Sequence, residues 1–122
     1  MRTMRLEVRK SLATVTSKPV MQETLAEIIR RVVEVAQPER IILFGSAARG
    51  EMGPNSDVDL LVVKGGEFDQ GGLTEDIYEN LYGVGQAVDV LVVTPEQVER
   101  HRNTHWLVIA PALREGREVY HS

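Results

Sequence analysis

Residues 41–63 read IILFGSAARGEMGPNSDVDLLVV, and three pieces of this stretch set the class of fold. Ile41-Ile42-Leu43-Phe44 is a short apolar, partly β-branched run that stops at Gly45, the pattern of a buried strand opening into a loop. The loop runs to Ser56. Within it Ser46-Ala47-Ala48-Arg49 has few helix breakers and predicts a helical turn, after which Gly50, Gly53, Pro54 and Asn55 bend the chain. Asp57-Val58-Asp59-Leu60-Leu61-Val62-Val63 is then continuously apolar except at its two acids, which predicts a central strand with an acidic entrance.

Upstream, Leu25, Ile28, Ile29, Val32 and Val35 recur at helical spacing with charged residues between them, so residues 21–36 form an amphipathic helix ended by Pro38. Downstream, Gly65-Gly66 and Gly71-Gly72 flank Glu67-Phe68-Asp69-Gln70 and read as a flexible connection. A helix is predicted over 74–82, ended by Gly83 and Gly85. Residues 87–93 repeat the strand pattern with one acid, Asp89. Thr94 as N-cap, Pro95 at the first helical position and Gln97 three residues after the cap predict a helix over 95–102. A last apolar segment runs from Trp106 to Arg114, with Pro111 inside it and Gly116 beyond. Helices alternating with three short strands define a small α/β (α+β) layer structure with flanking helices and a mostly buried sheet.

At 122 residues the chain is expected to form one small domain, burying roughly two-thirds of the surface of its unfolded form. The compositional break falls near Lys18-Pro19, which divides a basic N-terminal arm, 1–19, from a domain over 20–122. Residues 1–18 carry Arg2, Arg5, Arg9, Lys10 and Lys18 against Glu7, whereas the whole chain has a formal charge of −4. The rest is therefore acidic, which argues against broad electrostatic RNA binding. Cysteine is absent, removing disulfides and thiolate chemistry and agreeing with a reducing cytoplasm. No apolar run approaches the ~20 residues of a membrane span, so a cytoplasmic protein without membrane partners is expected. Self-association is left open.

The chemically informative anomaly is a set of acids where strands should be apolar, because an unpaired buried carboxylate is costly. Asp57 and Asp59 are two apart on a strand and point to one face, with Cα atoms roughly 6–7 Å apart. Asp89 heads another strand in the similar setting Val88-Asp89-Val90-Leu91, and joins the pair if the two strands are neighbours. Alone, each has an ordinary reading as a turn or strand-entry acid. Together they offer oxygen ligands of the kind Mg²⁺ prefers, and two-metal phosphoryl-transfer sites are built this way. The Gly45-Ser46 turn presents backbone N–H groups and a hydroxyl suited to phosphate. His101 and His105 are four apart, but Asn103-Thr104 interrupts them and no acidic third ligand is evident, which argues against a metal pair.

These residues resemble the DNA polymerase β-like nucleotidyltransferases, in particular the minimal nucleotidyltransferases. The resemblance rests on Ile41-Ile42-Leu43-Phe44-Gly45-Ser46, a ten-residue spacer, Asp57-Val58-Asp59 in apolar surroundings, and Val88-Asp89-Val90. It spans residues 40–93 and extends to the ending Ala112 to Tyr120. It implies the polymerase β-like palm fold on a small mixed sheet, and Mg²⁺-dependent transfer of AMP from ATP to a hydroxyl. Asp57, Asp59 and Asp89 are then the catalytic and metal-binding residues, holding two Mg²⁺ ions, with Asp89 also taking the acceptor's proton. Gly45 and Ser46 bind the nucleotide, Gly45 because a side chain would block backbone approach to phosphate, and Arg49 either joins them or makes a surface ion pair. Trp106, Tyr78, Tyr82 and Tyr120 are the aromatics available to stack an adenine or complete a core. The resemblance further implies an antitoxin whose partner is a HEPN-type toxin from a neighbouring gene, modified on a tyrosine. The alternatives are an antitoxin that acts by binding alone, and transfer to RNA or a small molecule.

Overall fold

The apolar stripe around Ile28 and Val32 forms α1, Lys18–Ala36, which starts three residues before the predicted helix. Pro19 sits in its first turn, where a missing N–H leaves no helical bond unmade. The helix stops where Gln37 takes a left-handed conformation (φ 45°) and donates to the Val33 carbonyl at 2.9 Å, followed by the buried Pro38. This computed structural model describes residues 18–50, 57–101 and 109–122, with the side chains at 18–21, 46, 109 and 110 outside the description. The order continues with β1 (Arg40–Phe44), a 3₁₀ turn (Gly45–Ala47), β2 (Val58–Val63), α2 (Gln70–Leu81), β3 (Val88–Val93), α3 (Pro95–His101), α4 (Ile109–Glu115) and β4 (Arg117–His121).

The described strands form one mixed sheet in the order β3-β2-β1-β4. β1 runs antiparallel to both β2 and β4, while β2 and β3 are parallel and joined through α2. Alternation along the strands sorts the core into two layers. Ile41, Leu43, Val58, Leu60, Val62 and Val92 pack on Ile28, Val32 and Ala36 of α1 and Ile77 and Leu81 of α2. Ile42, Leu61, Val63 and Val93 face the other way, onto Val98 of α3 and Ala112 of α4. Asp59 shares the facing of Leu61 and Val63, and Asp89 that of Leu91 and Val93, so both acids belong to the α3/α4 side.

Two expectations are corrected. The sheet has a fourth strand, β4, where sequence reading saw no strand. Its outer residues are charged and exposed, leaving Val119 and Tyr120 as its apolar contribution, and its pairing with β1 is long-range and contains a bulge opposite Ile41/Ile42. Gly116 lets it turn in: a Cβ there would strike the Ala112 carbonyl and lie 2.6 Å from Ile42 Cγ2. The second correction is the supposedly flexible Gly71-Gly72, which lies in the first turn of α2. Glycine is a poor helix former, but one local and two long-range bonds fix this turn. Leu73 N donates to Asp69 O at 2.9 Å, and Gln70 Nε2 donates to Val92 O and to Gln97 Oε1, each at 3.0 Å.

The capping box at α3 forms as predicted: Gln97 N donates to Thr94 Oγ1 at 3.1 Å and Thr94 N to Gln97 Oε1 at 3.0 Å. Arg31 of α1 donates to the Asn80 and Tyr82 carbonyls at 3.3 and 3.1 Å, while Asn80 Nδ2 returns a bond to Arg31 O at 2.9 Å. This exchange closes the C-terminal end of α2. Glu27 bonds Arg30 and Arg31, and these bonds hold its carboxyl at about 2. Its small surface contribution is present above the ordinary value of 4.5 and is lost as pH falls towards about 2.

Leu60 is fully buried in the central strand, so Leu60→Ala is expected to lower unfolding free energy by about 2–5 kcal/mol, whereas Thr94→Ala loses about 1 kcal/mol. Urea unfolding of the two variants checks the ranking; a Thr94 effect equal to the Leu60 effect would show that the capping box, and not the layered core, dominates.

Candidate active site

The parallel register of β2 and β3 places Val58 opposite Val88 and Asp59 opposite Asp89. The strand adjacency on which the third acid depends is therefore present, and the two carboxylates meet on the same face. Burial raises the Asp59 carboxyl above its ordinary value of 3.8, the charge of Asp89 raises it further, the charge of Asp57 adds to this, and a side-chain hydrogen bond with Asp89 adds last. Asp57 stands exposed one residue before β2 and acts on Asp59 through charge. Asp59 is half-buried and Asp89 exposed, so the group has a recessed member and two at the rim.

Phe44, the last residue of β1, is the cross-strand partner of Asp59, which brings the chain out of β1 beside the acid. Gly45 turns it away with φ +75°, and a Cβ at Gly45 would collide with Asp59 Oδ2. Sequence reading assigned this glycine to phosphate approach. The structure adds a nearer constraint, because the space a side chain would take is already filled by the carboxylate. Nothing in the one-dimensional pattern signals that contact, since the two residues are 14 positions apart. Ala48 N donates to Gly45 O at 3.1 Å and closes the 3₁₀ turn. Ser46 lies in the middle of this turn, and its hydroxyl is outside the described residues; Arg49 is exposed just beyond.

Among the other residues singled out from the sequence, Trp106 and His105 fall outside the described residues. Tyr82 is 89% exposed, Tyr78 is 41% exposed, and Tyr120 is half-buried against the α1 side of the sheet.

Among the described residues no three His, Cys, Asp or Glu side chains form a ready cage for an ion. Asp59 and Asp89 instead stand opposite each other on neighbouring strands, with Asp57 adding its charge. Carboxylates crowded in this way raise one another's proton affinity, and a divalent cation relieves the same crowding. The donors are all oxygen, which fits Mg²⁺ and not a thiolate- or imidazole-seeking metal. The residues present thus suit the ion that the motif implies.

Acids at the heads of adjacent strands beside a Gly-Ser turn, on a mixed sheet backed by helices, are the kind of arrangement that phosphoryl-transfer chemistry uses. The comparisons make this specific: residues 24–103 match the nucleotidyltransferase domain family, and the chain belongs to that family. It is 33% identical over 82 residues to a Methanocaldococcus jannaschii protein named "putative protein adenylyltransferase", an alignment covering 67% of this chain and 78% of that one. The crystal structure of a Sulfolobus solfataricus protein named "putative nucleotidyltransferase" superposes with a TM-score of 0.60, covering 89% of this chain and 87% of the other at 21% identity. The likeness is one of fold, which in this chain is a four-stranded mixed sheet with flanking helices. Among the described residues no helix is long and apolar enough to cross a membrane.

Because its folded carboxyl is raised, the Asp59 contribution to stability is present below 3.8 and is lost as pH rises through the folded value. Asp59→Asn is therefore expected to melt higher than wild type at pH 7 without divalent ions, and to lose any stabilisation by Mg²⁺. Differential scanning fluorimetry with and without Mg²⁺ tests this; a lower melting point for the variant would contradict the crowding of these acids. Gly45→Ala forces a methyl group into the left-handed region, at about 1–2 kcal/mol, and against Asp59. It should lower stability and weaken the Mg²⁺ response together, and an unchanged Mg²⁺ titration would show that Asp59 does not depend on the empty Cβ position.

Proposed function

We propose that this chain transfers AMP from ATP to a hydroxyl of a partner protein, with Mg²⁺ held by Asp57, Asp59 and Asp89. The observation that carries the reading is the Asp59–Asp89 pair, in register across β2 and β3 and pressed by the charge of Asp57. Bound Mg²⁺ would neutralise the phosphates and polarise the α-phosphorus. The acceptor oxygen attacks that phosphorus, the bond to the bridging oxygen of pyrophosphate breaks, and the acceptor's proton passes to the Asp89 carboxylate. Backbone amides following Gly45, with Ser46, hold the departing phosphates, and Arg49 is placed by sequence to add charge there. The empty Cβ position at Gly45 keeps Asp59 in place beside them.

A protein acceptor is supported by the name of the Methanocaldococcus relative. In this reading the acceptor is a tyrosine of a HEPN-type toxin encoded beside this chain, and its adenylylation neutralises it, which places the pair in the cytoplasm. RNA is a less suitable acceptor, because the charge of the chain apart from its first 18 residues is acidic.

The test is to co-purify the chain with its genetic neighbour, add Mg²⁺ and each nucleoside triphosphate, and weigh both proteins intact. One or more AMP masses on the partner are expected, with ATP and Mg²⁺ both required. Asp57→Asn, Asp59→Asn and Asp89→Asn should each slow the transfer by on the order of 100-fold or more. Full activity in all three variants would refute the mechanism, and neutralisation of the partner without nucleotide would establish binding as the mode of action.

A further inference from the structure

Asp89 stands on β3, an edge strand of the sheet, so its place depends on a backbone that is paired along one side. The pairing alternates. Val58 N donates to Ala87 O and Lys64 N to Val93 O, each at 2.9 Å, so the odd-numbered carbonyls of β3, Asp89 among them, turn towards β2. The N–H of Val90 belongs to the same peptide unit as the Asp89 carbonyl and points the opposite way, off the edge. There it donates to the hydroxyl of Tyr78 at 2.8 Å. Further along the edge, the Val92 carbonyl accepts from Gln70 Nε2 at 3.0 Å. Both side chains come from α2, whose antiparallel course beside β3 matches the later helix residue to the earlier strand residue.

We propose that Tyr78 is a positioning residue for Asp89: its hydroxyl grips the outer side of the Asp89–Val90 peptide while β2 grips the inner side, and this fixes the rotation that aims the Asp89 carboxylate at Asp59. Without the outer bond the peptide is held from one side and can tilt, and the Asp89 side chain tilts with it. The phenol reaches the edge over a partly exposed path, with 41% of Tyr78 accessible, so its burial does not account for its placement. Gln70 grips the same strand three residues beyond the acid and also bonds Gln97 of the α3 cap. Its hold is on the strand's far end, which makes it the natural comparison. The metal and rate consequences rest on the function proposed above; the backbone consequence does not.

Tyr78→Phe removes the oxygen and keeps the ring, and Gln70→Leu removes the second tie. Three measurements separate the possibilities: amide hydrogen exchange by NMR, the Mg²⁺ midpoint of thermal stabilisation without nucleotide, and steady-state AMP transfer. Tyr78→Phe is expected to speed exchange at Val90, to raise the Mg²⁺ midpoint by about 10-fold, and to lower kcat with KM for ATP little changed. Gln70→Leu should speed exchange at the far end of β3 and leave the Mg²⁺ midpoint where it was. Unchanged Val90 exchange in Tyr78→Phe overturns the proposal, as does an equal Mg²⁺ shift in both variants, which would mean that any loosening of the edge has the same effect. If wild type shows no Mg²⁺ response at all, the transfer mechanism fails while the exchange result still decides whether Tyr78 holds this peptide.

Discussion

Asp59 and Asp89 are like charges forced together by backbone register, and the remainder of the structure is arranged so that the register cannot relax. Two unit charges about 4 Å apart repel by roughly 1–4 kcal/mol near a protein surface. Against this stand Leu60, Leu61, Val62, Val63, Val92 and Val93, all buried, each worth about 1.5–3 kcal/mol. A slip of one residue between β2 and β3 would relieve the acids only by turning Leu60 and Val62 into the wrong layer. The apolar layers on both faces therefore outweigh the repulsion. The pair persists, and its crowding together with burial holds the Asp59 carboxyl above its ordinary value.

The layers also settle where the site can be. α1 and α2 seal one face along the length of the sheet, with the core running from Val58 through Val62. The opposite face is covered where Leu61, Val63 and Val93 meet Val98 and Ala112. Asp59 and Asp89 precede those residues on the same face, at the end where β2 and β3 begin. β1 ends there too, with Phe44 across from Asp59 and Gly45 turning at the carboxylate. Antiparallel β1–β2 pairing and parallel β2–β3 pairing are both needed to bring a strand's end and two strands' beginnings to one place.

Much of this was legible in the sequence because it is local. The helical stripe about Ile28, the apolar strands with misplaced acids, and the Thr94–Gln97 cap each declare themselves within a few residues. What escaped is non-local. β4 offers too few apolar residues to stand out, and becomes a strand because Arg40–Phe44 has an open side and Gly116 lets the chain approach it. The glycines at 71 and 72 predict a flexible connection, but Gln70 reaches across to Val92 and Gln97 and the turn becomes helical. The Asp89 position required knowledge of strand order, and the Gly45–Asp59 contact required coordinates for two residues on different strands. The acids were thus identifiable by type, and the spacing of Asp57 and Asp59 by periodicity, whereas the meeting of Asp89 with them depended on strand order.

A sheet that carries a proposed metal-binding acid on its edge strand faces a particular difficulty, because the exposed backbone of that strand is a template for further pairing. The two edges here answer it differently. β4 is short, bulged and charged: Arg40 bonds Glu118 at 2.7 Å across the β1–β4 pair, and His121 approaches the same carboxylate at 3.2 Å. Charge and irregularity discourage strand addition without fixing the backbone closely. β3 is made of valine, leucine and one acid, so charge cannot protect it. The outward N–H of Val90 and the outward carbonyl of Val92 are occupied by Tyr78 and Gln70, which caps two groups of the edge and fixes their peptide planes in one step. Only the second arrangement suits a strand whose side-chain direction matters, and it is the one found on the strand that bears Asp89.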